Sequence, residues 1–210
     1  SNLTSRIDSK FQRDVFRFSA RTSMFKYGYT ELTGFFSKSL HVLQLVSQAI
    51  EDLEECGFHQ NFILLYDEVW ELAHAANHTL GPVYGLRSNM DFFVFNVKPG
   101  EDSWPGHRDR LMRVDFQRNG MPKYTTVWMA ITDADPENTS CIFAVPAHSD
   151  SAYSTPEAEP TADEQLSAKP LPVKAGTVLV WSDRLYHWGS TSPPNSTFAR
   201  RTLTMAMSMP

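Results

Sequence analysis

From about residue 89 onward the chain loses helical spacing and becomes a series of short β-branched and aromatic runs. They read "DFFVFNV", "RVDFQ", "YTTVWMAIT", "SCIFAVP", "GTVLVW" and "RRTLTMAMSM", separated by clusters of Pro, Gly, Asn and Asp. Strands that follow one another without crossover helices cannot build a parallel sheet, so the pattern predicts an antiparallel sandwich or barrel. The first 80 residues have a different texture. "SLHVLQLVSQAIEDLEECGF" (39–58) places Leu40, Leu43, Val46, Ile50 and Leu53 at spacings of three and four, with Gly57 as a C-cap. "FILLYDEVWELAHAANHTLG" (62–81) repeats the pattern through Leu65, Val69, Leu72 and Ala76 and is expected to stop at Gly81. Both stripes must be buried against something larger, whereas residues 7–27 are ambiguous.

The expected architecture is α+β, mainly β in its second part. A helical region (1–87) packs on a double-stranded β-helix (88–210), the jelly roll shared with cupins, in one integrated domain. The polar, acidic, Pro-bearing stretch 150–170 reads as a lid or a flexible loop.

Charge and composition exclude several classes. Nineteen basic residues against 24 acidic ones give a net charge of −5, so a nucleic-acid groove is not expected. No apolar run reaches membrane-spanning length, and "SNLTSR" carries no apolar leader segment, so no membrane association and a cytoplasmic location are expected. Cys56 and Cys141 lie far apart outside any CxxC and are expected to be reduced thiols. Sequons at Asn2, Asn77, Asn138 and Asn195 matter only in a secreted chain and are read as chance. The oligomeric state has no signature.

Chemistry concentrates in "WPGHRDR" (104–110). If a strand begins here, period-two alternation points His107 and Asp109 to one face and Arg108 and Arg110 to the other. Alone, H-x-D is a common surface pattern. A third ligand comes from "GTVLVWSDRLYHWGS", an apolar run and a turn leading to His187. Two imidazoles and a carboxylate on one face of an octahedron leave positions open for a chelating cosubstrate and O2, an arrangement suited to Fe(II). Arg200 lies 13 positions beyond His187 and could clamp a carboxylate through paired charge-assisted bonds. Thr202 shares its strand face. Arg201 competes: it shares a face with Leu203 and Met205, and burial preference alone would turn that face inward. Hydrogen bonding favours Arg200, because a buried guanidinium needs polar company. Both could also be surface charges.

The pieces "WPGHRD", "VWMAITDADPENTSCIFAVPAHS" and "AGTVLVWSDRLYHWGSTSPPNSTFARRTLT" resemble the phytanoyl-CoA dioxygenase-like group of Fe(II)/2-oxoglutarate-dependent oxygenases. The resemblance covers about residues 90–208 and leaves the N-terminal half unmatched in detail. It implies that His107, Asp109 and His187 bind Fe(II). It also implies that Arg200 with Thr202 holds 2-oxoglutarate, and that Trp128 and Thr126 lie beside the cosubstrate. For Trp128 and Thr126, plain core packing is the alternative. The implied reaction consumes O2, releases succinate and CO2, and hydroxylates a small molecule or acyl thioester, with ascorbate as an accessory reductant. "NTSC" and "PAHS" depart from the family's pattern, and "STSPPNST" lengthens the step from His187 to Arg200; these changes leave the ligands intact but reshape the loops around them. A carboxylate at Asp109, where iron halogenases of this class carry a small residue, argues against halogenation.

Two other classes compete: a metal-free jelly-roll binding module, and a cupin-like metal hydrolase or isomerase, for which a buried Arg200 has no purpose. Other clusters read as ordinary structure. His74 and His78 share a helix face without the zinc-protease Glu between them. Cys56 and His59 form half a zinc motif, His148 sits in an exposed turn, and Phe92–Val97 is core strand. Arg108, Arg110 and Arg113 read as a solvated or salt-bridged surface rather than an anion-receiving patch.

Overall fold

The computed structural model describes residues 2–109, 116–155 and 157–209, with side chains in the first helix from residue 12 onward. Helix α1 (Asn2–Tyr27) is free of Gly and Pro and stops where Gly28 takes a positive φ of 78°. Helix α2 (Leu40–Glu55) buries Leu43, Val46 and Ile50. Leu40, at the edge of the expected stripe, stays 44% exposed, and Gly57 (φ 82°) turns the chain away. The single helix expected over 62–81 divides. A 3-10 turn (Gln60–Leu65) comes first, Tyr66 is extended, and α3 runs Asp67–Tyr84 with Asp67 and Glu68 in its first turn, where the helix dipole favours them. Gly81 does not end α3. Pro82 is accommodated inside it, and the helix closes at Gly85, whose left-handed φ of 70° lets its N–H bond the Gly81 carbonyl.

Among the described residues eight antiparallel strands form two sheets. The larger has the order β1 (Tyr29–Leu32), β6 (Val178–Ser182), β3 (Tyr124–Ala130), β8 (Arg200–Ser208), β2 (Arg87–Val97). The smaller has the order β5 (Lys169–Leu171), β4 (Ile142–Val145), β7 (Tyr186–Gly189). This is the jelly roll. Alternation sorts the larger sheet's side chains into two cores. Val127, Met129, Val178, Val180, Leu203, Met205 and Met207 meet the helices. Trp128, Ala130, Leu179 and Trp181 face Ile142, Ala144 and Leu171 of the smaller sheet. Every residue of β3 is therefore buried, as a strand covered on both faces requires.

Several details differ from the sequence reading. Strand β1 arises inside the helical region and pairs with β6. Of "RVDFQ", Arg113–Asp115 lie outside the described residues, and Phe116 makes one bridge with Pro122. The stretch 150–170 is structured where it is described. It carries a capping box of Thr161 and Glu164 on the short helix α4 (Ala162–Gln165), followed by β5. No helix among the described residues is long and apolar enough to cross a membrane. Cys56 is exposed and Cys141 buried, both as free thiols.

Candidate active site

Segment 104–107 docks against β7 rather than beginning a continuous strand. Gly189 N–H donates to the Trp104 carbonyl, and His107 and His187 exchange both backbone hydrogen bonds at 3.0 Å. Such a pair projects its side chains from one face, so the two rings lie side by side with centroids 4.4 Å apart. The approach is too close for side chains at two positions. A Cβ on Gly106 would stand 2.5 Å from the Tyr186 hydroxyl, and one on Gly189 would collide with Ser103 Oγ.

Each imidazole uses Nδ1 to donate to a backbone carbonyl, His107 to Pro105 at 2.7 Å and His187 to Leu185 at 2.9 Å. Both Nε2 atoms are thereby turned toward Asp109 Oδ1, at 3.4 and 3.7 Å. The ligand atoms of these three residues lie within 4.8 Å of one another, the one such group of His, Cys, Asp or Glu among the described residues. The other oxygen, Asp109 Oδ2, accepts from Thr126 Oγ1 at 2.5 Å and Trp181 Nε1 at 2.8 Å. Thr126 and Trp181 are direct partners across β3 and β6, so the larger sheet aims a carboxylate at two histidines supplied by the smaller sheet's side.

Electrostatics follow from these contacts. Burial alone would raise the Asp109 pKa, but the charge of His187 and hydrogen bonds from His107, Thr126 and Trp181 hold it down at about 2. Burial lowers the pKa of His187, which favours its neutral, ligating form. At His107 burial also pulls downward, but bonds to Asp109 and the Pro105 carbonyl outweigh it and the pKa is raised.

The three residues border a cavity of about 330 Å3 that reaches Arg200. Arg200 is 2% exposed. Its Nη2 donates to Ser103 Oγ at 2.9 Å, while Nε and Nη1 have no partner among the described residues. The buried hydroxyls of Thr202 and Thr204 are likewise unpartnered. Burial lowers the Arg200 pKa to about 10, so the group stays cationic at neutral pH. Its Cζ is 5.9 Å from the centre of the Trp128 ring, which lines the same cavity. Arg201 points to the helices instead, where it meets Ser47, Asn96 and Glu51.

Thus the structure brings His107, Asp109, His187, Arg200, Trp128 and Thr126 to one cavity. Thr126 does so through Asp109. Thr202 is buried on the same strand face as Arg200. The donor set fits a divalent ion, and the orphaned guanidinium edge fits a carboxylate, which is the form a buried, unsatisfied cation requires.

One expectation is overturned. Arg108 is not a surface residue. It is 3% exposed and grips Asp150 through both terminal nitrogens, at 2.8 and 3.0 Å, while Nε donates to the Ala158 carbonyl and Nη1 to that of Arg184. It does turn away from the metal face, but Asp150 and Ala158 close over it. Arg110 and Arg113 lie outside the described residues. The remaining candidates are structural: His74 and His78 are exposed, His59 caps the 3-10 turn through Asn61 N–H, and His148 bonds the Lys26 carbonyl. Sequence reasoning missed Trp181, Asp91, Phe93, Phe95, Trp104, Tyr124 and Thr204. Odd positions of β2 line the cavity while Phe92 and Val94 pack on the helices, so the strand read as core is core on one face only.

A jelly roll with a half-buried His/Asp/His cluster beside an unpaired arginine defines the class: a cupin-type fold built around a candidate metal centre. The chain belongs to the phytanoyl-CoA dioxygenase (PhyH) family, whose model matches residues 25–202. No curated protein matches it significantly. Among solved structures, the non-heme α-ketoglutarate-dependent epimerase SnoN from nogalamycin biosynthesis aligns with TM-score 0.71 at 14% identity, over 93% of this chain and 81% of that one. SnoN is also known in complex with Fe3+, α-ketoglutarate and nogalamycin RO. AviO1 from Streptomyces viridochromogenes Tue57 aligns with TM-score 0.66 at 18% identity, over 92% and 95%. The α-ketoglutarate-dependent carbocyclase SnoK aligns with TM-score 0.63 at 15% identity, over 90% and 82%. At these identities the likeness is one of fold.

Proposed function

We propose that this protein is an Fe(II)- and 2-oxoglutarate-dependent oxygenase that hydroxylates a small molecule. His107, Asp109 and His187 would hold the iron, and Arg200 with the Thr202 hydroxyl would hold the distal carboxylate of 2-oxoglutarate. The observation that carries this reading is Arg200, a buried cation lining the cavity the ligand cluster borders, with two nitrogen groups unpartnered among the described residues. A metal hydrolase or isomerase working without a cosubstrate would leave that guanidinium unexplained. Solved structures of similar fold are described as an epimerase and a carbocyclase, and Asp109 in the third ligand position argues for hydroxylation or another such oxidative outcome over halogenation.

When bound, iron with 2-oxoglutarate and O2 supplies an oxidant able to take hydrogen from a C–H bond, the cosubstrate leaving as succinate and CO2. The chain's own residues position and shield. The carbonyls of Pro105 and Leu185 fix the tautomers of His107 and His187. Thr126 and Trp181 occupy one oxygen of Asp109 and leave the other for the metal. Trp128, Trp181 and Phe95 wall the cavity and exclude water from the reacting centre.

Anaerobic titration tests the reading. The wild-type chain should bind one Fe(II) and then 2-oxoglutarate with a visible charge-transfer band. His187→Ala should lose the iron, and Arg200→Met should keep the iron but lose the band. Full iron binding by His187→Ala, or unchanged 2-oxoglutarate affinity in Arg200→Met, would sink the assignment.

A further inference from the structure

Resting on that reading of the site, the geometry points to the class of substrate: an apolar, ring-bearing amine or alcohol whose hydrogen-bond donor is held by Asp91, not an anionic or carrier-linked thioester. Cross-strand register lays out the cavity floor. Thr126 faces Ala206, while Trp128 and Phe93 flank Thr204 from opposite sides. Small β8 side chains therefore form a groove, with Trp128 and Trp181 on one side and Phe93 and Phe95 on the other. At the open end the apolar surface continues into solvent. Phe93 is 49% exposed and Trp104 59%, and the rings of Phe93, Phe95, Trp104 and His107 follow one another at 6.2 to 6.4 Å. A soluble chain that leaves such rings bare beside a cavity is presenting an apolar ligand surface.

One acid interrupts that surface. Asp91 lies on β2 where the register with β8 shifts between Ser88 and Phe92, an irregularity of the kind that re-aims a side chain. It lines the cavity, and its Oδ2 accepts from the Tyr124 hydroxyl at 2.8 Å, leaving Oδ1 to accept from a ligand. The bond crosses over β8, from β3 to β2, which Ala206 is small enough to permit. A second polar residue borders the same space: Thr204 is 8% exposed, and its buried hydroxyl is unpartnered among the described residues. Among the described residues lining the cavity the only basic groups are Arg200 and the two candidate ligand histidines, all assigned to cosubstrate and metal. A phosphate or carboxylate at the mouth would meet Asp91 with no compensating charge. An ammonium would gain both the carboxylate and the ring faces, the pairing that aromatic sites use for cations. Two strand spacings, ~10 Å, separate Asp91 from Thr126, so the anchored group is not the one that reacts.

The test is a matched probe series titrated by ligand-observed NMR: phenethylamine, phenethyl alcohol, phenylacetate and phenylacetyl-CoA, each with the iron- and 2-oxoglutarate-loaded protein under argon and with the metal-free protein. The amine and alcohol should bind. Asp91→Asn should weaken the amine about tenfold and Tyr124→Phe about threefold, with smaller effects on the alcohol. Phenylacetate or the CoA thioester binding as well as the amine, an amine affinity unmoved by Asp91→Asn, or no binding by any probe would each overturn the proposal. Iron and 2-oxoglutarate uptake, read on the same samples, reports separately on the oxygenase reading. If uptake fails while Asp91-dependent preference for the amine persists, the oxygenase falls and the donor-binding pocket stands.

Discussion

Arg108 and Arg200 are both buried to within 3% exposure, and they do opposite things with their nitrogens. Arg108 is saturated: both terminal nitrogens grip Asp150, and the Ala158 and Arg184 carbonyls take further bonds. Its neighbour Arg184, fully buried, continues the network to the carbonyls of Tyr153 and Thr155 at 3.1 and 2.5 Å. Together they fasten Asp150, Tyr153, Thr155 and Ala158 behind the metal face. Among the described residues Arg200 has one hydrogen-bond partner, Ser103, and two unpartnered nitrogen groups beside a cavity. A buried cation with every donor satisfied is part of the scaffold. One left incomplete stores a desolvation penalty that only a ligand can relieve. Burial alone therefore does not separate structure from function, whereas completeness of hydrogen bonding does.

The sharpest way to break this contrast is to remove one partner of the saturated pair. Arg108→Ala or Asp150→Ala should destabilise the fold by about 3–5 kcal/mol, because each strands a buried charge. The double variant Arg108→Met/Asp150→Leu should recover most of that loss. Urea unfolding checks both, and a loss below about 1 kcal/mol in the single variants would dissolve the distinction. Next in size, Arg200→Met should change stability by about 1 kcal/mol or less, and in either direction, while reducing 2-oxoglutarate affinity about a hundredfold by calorimetry. A variant that unfolds instead would make Arg200 scaffold after all.

A smaller effect tests the aim of the ligand cluster. Thr126→Val or Trp181→Phe removes one bond to Asp109 Oδ2 and should weaken Fe(II) binding about tenfold by competitive chelator titration, with the fold retained. The smallest concerns the outer end of the fastened segment. Glu164 is partly exposed, and backbone N–H groups of Thr161 and Ser151 hold its pKa at about 2, below the ordinary 4.5. A lowered folded-state pKa means its contribution is fully present above pH 4.5 and is lost as pH falls toward 2. Glu164→Gln should flatten stability against pH in that window and leave neutral pH nearly unchanged. An identical acid profile in the variant would show that the capping box does not secure the segment.

Much of the site is legible in the amino-acid sequence. Spacing puts His107 and Asp109 on one face and Arg108 on the other, and chemistry chooses Arg200 over Arg201. These choices use only nearby residues: their spacing along extended backbone and the polar company a guanidinium needs. The misses share a different cause. Gly81 has the right composition for a cap, but helix α3 runs through Pro82 to Gly85, where the left-handed turn is made. Asp91 sits at a register shift that no sequence pattern announces, and Trp181 has the pattern of any apolar strand residue. Arg108 reads as solvent-facing because nothing in "HRD" reveals that Asp150 and Ala158 will cover it.

The sequence by itself determined which side chains share a face, which runs favour strand or helix and which residue types could hold a metal and a carboxylate, since these follow from periods of two and 3.6 residues and from donor chemistry. Only the tertiary structure decided what each face would meet. Closure of the two sheets brought Thr126 and Trp181 to Asp109, gave Arg108 an acid and left Arg200 without one. Partners like these come from 17 to 72 residues away along the chain, and their identity exists only once the sheets have closed.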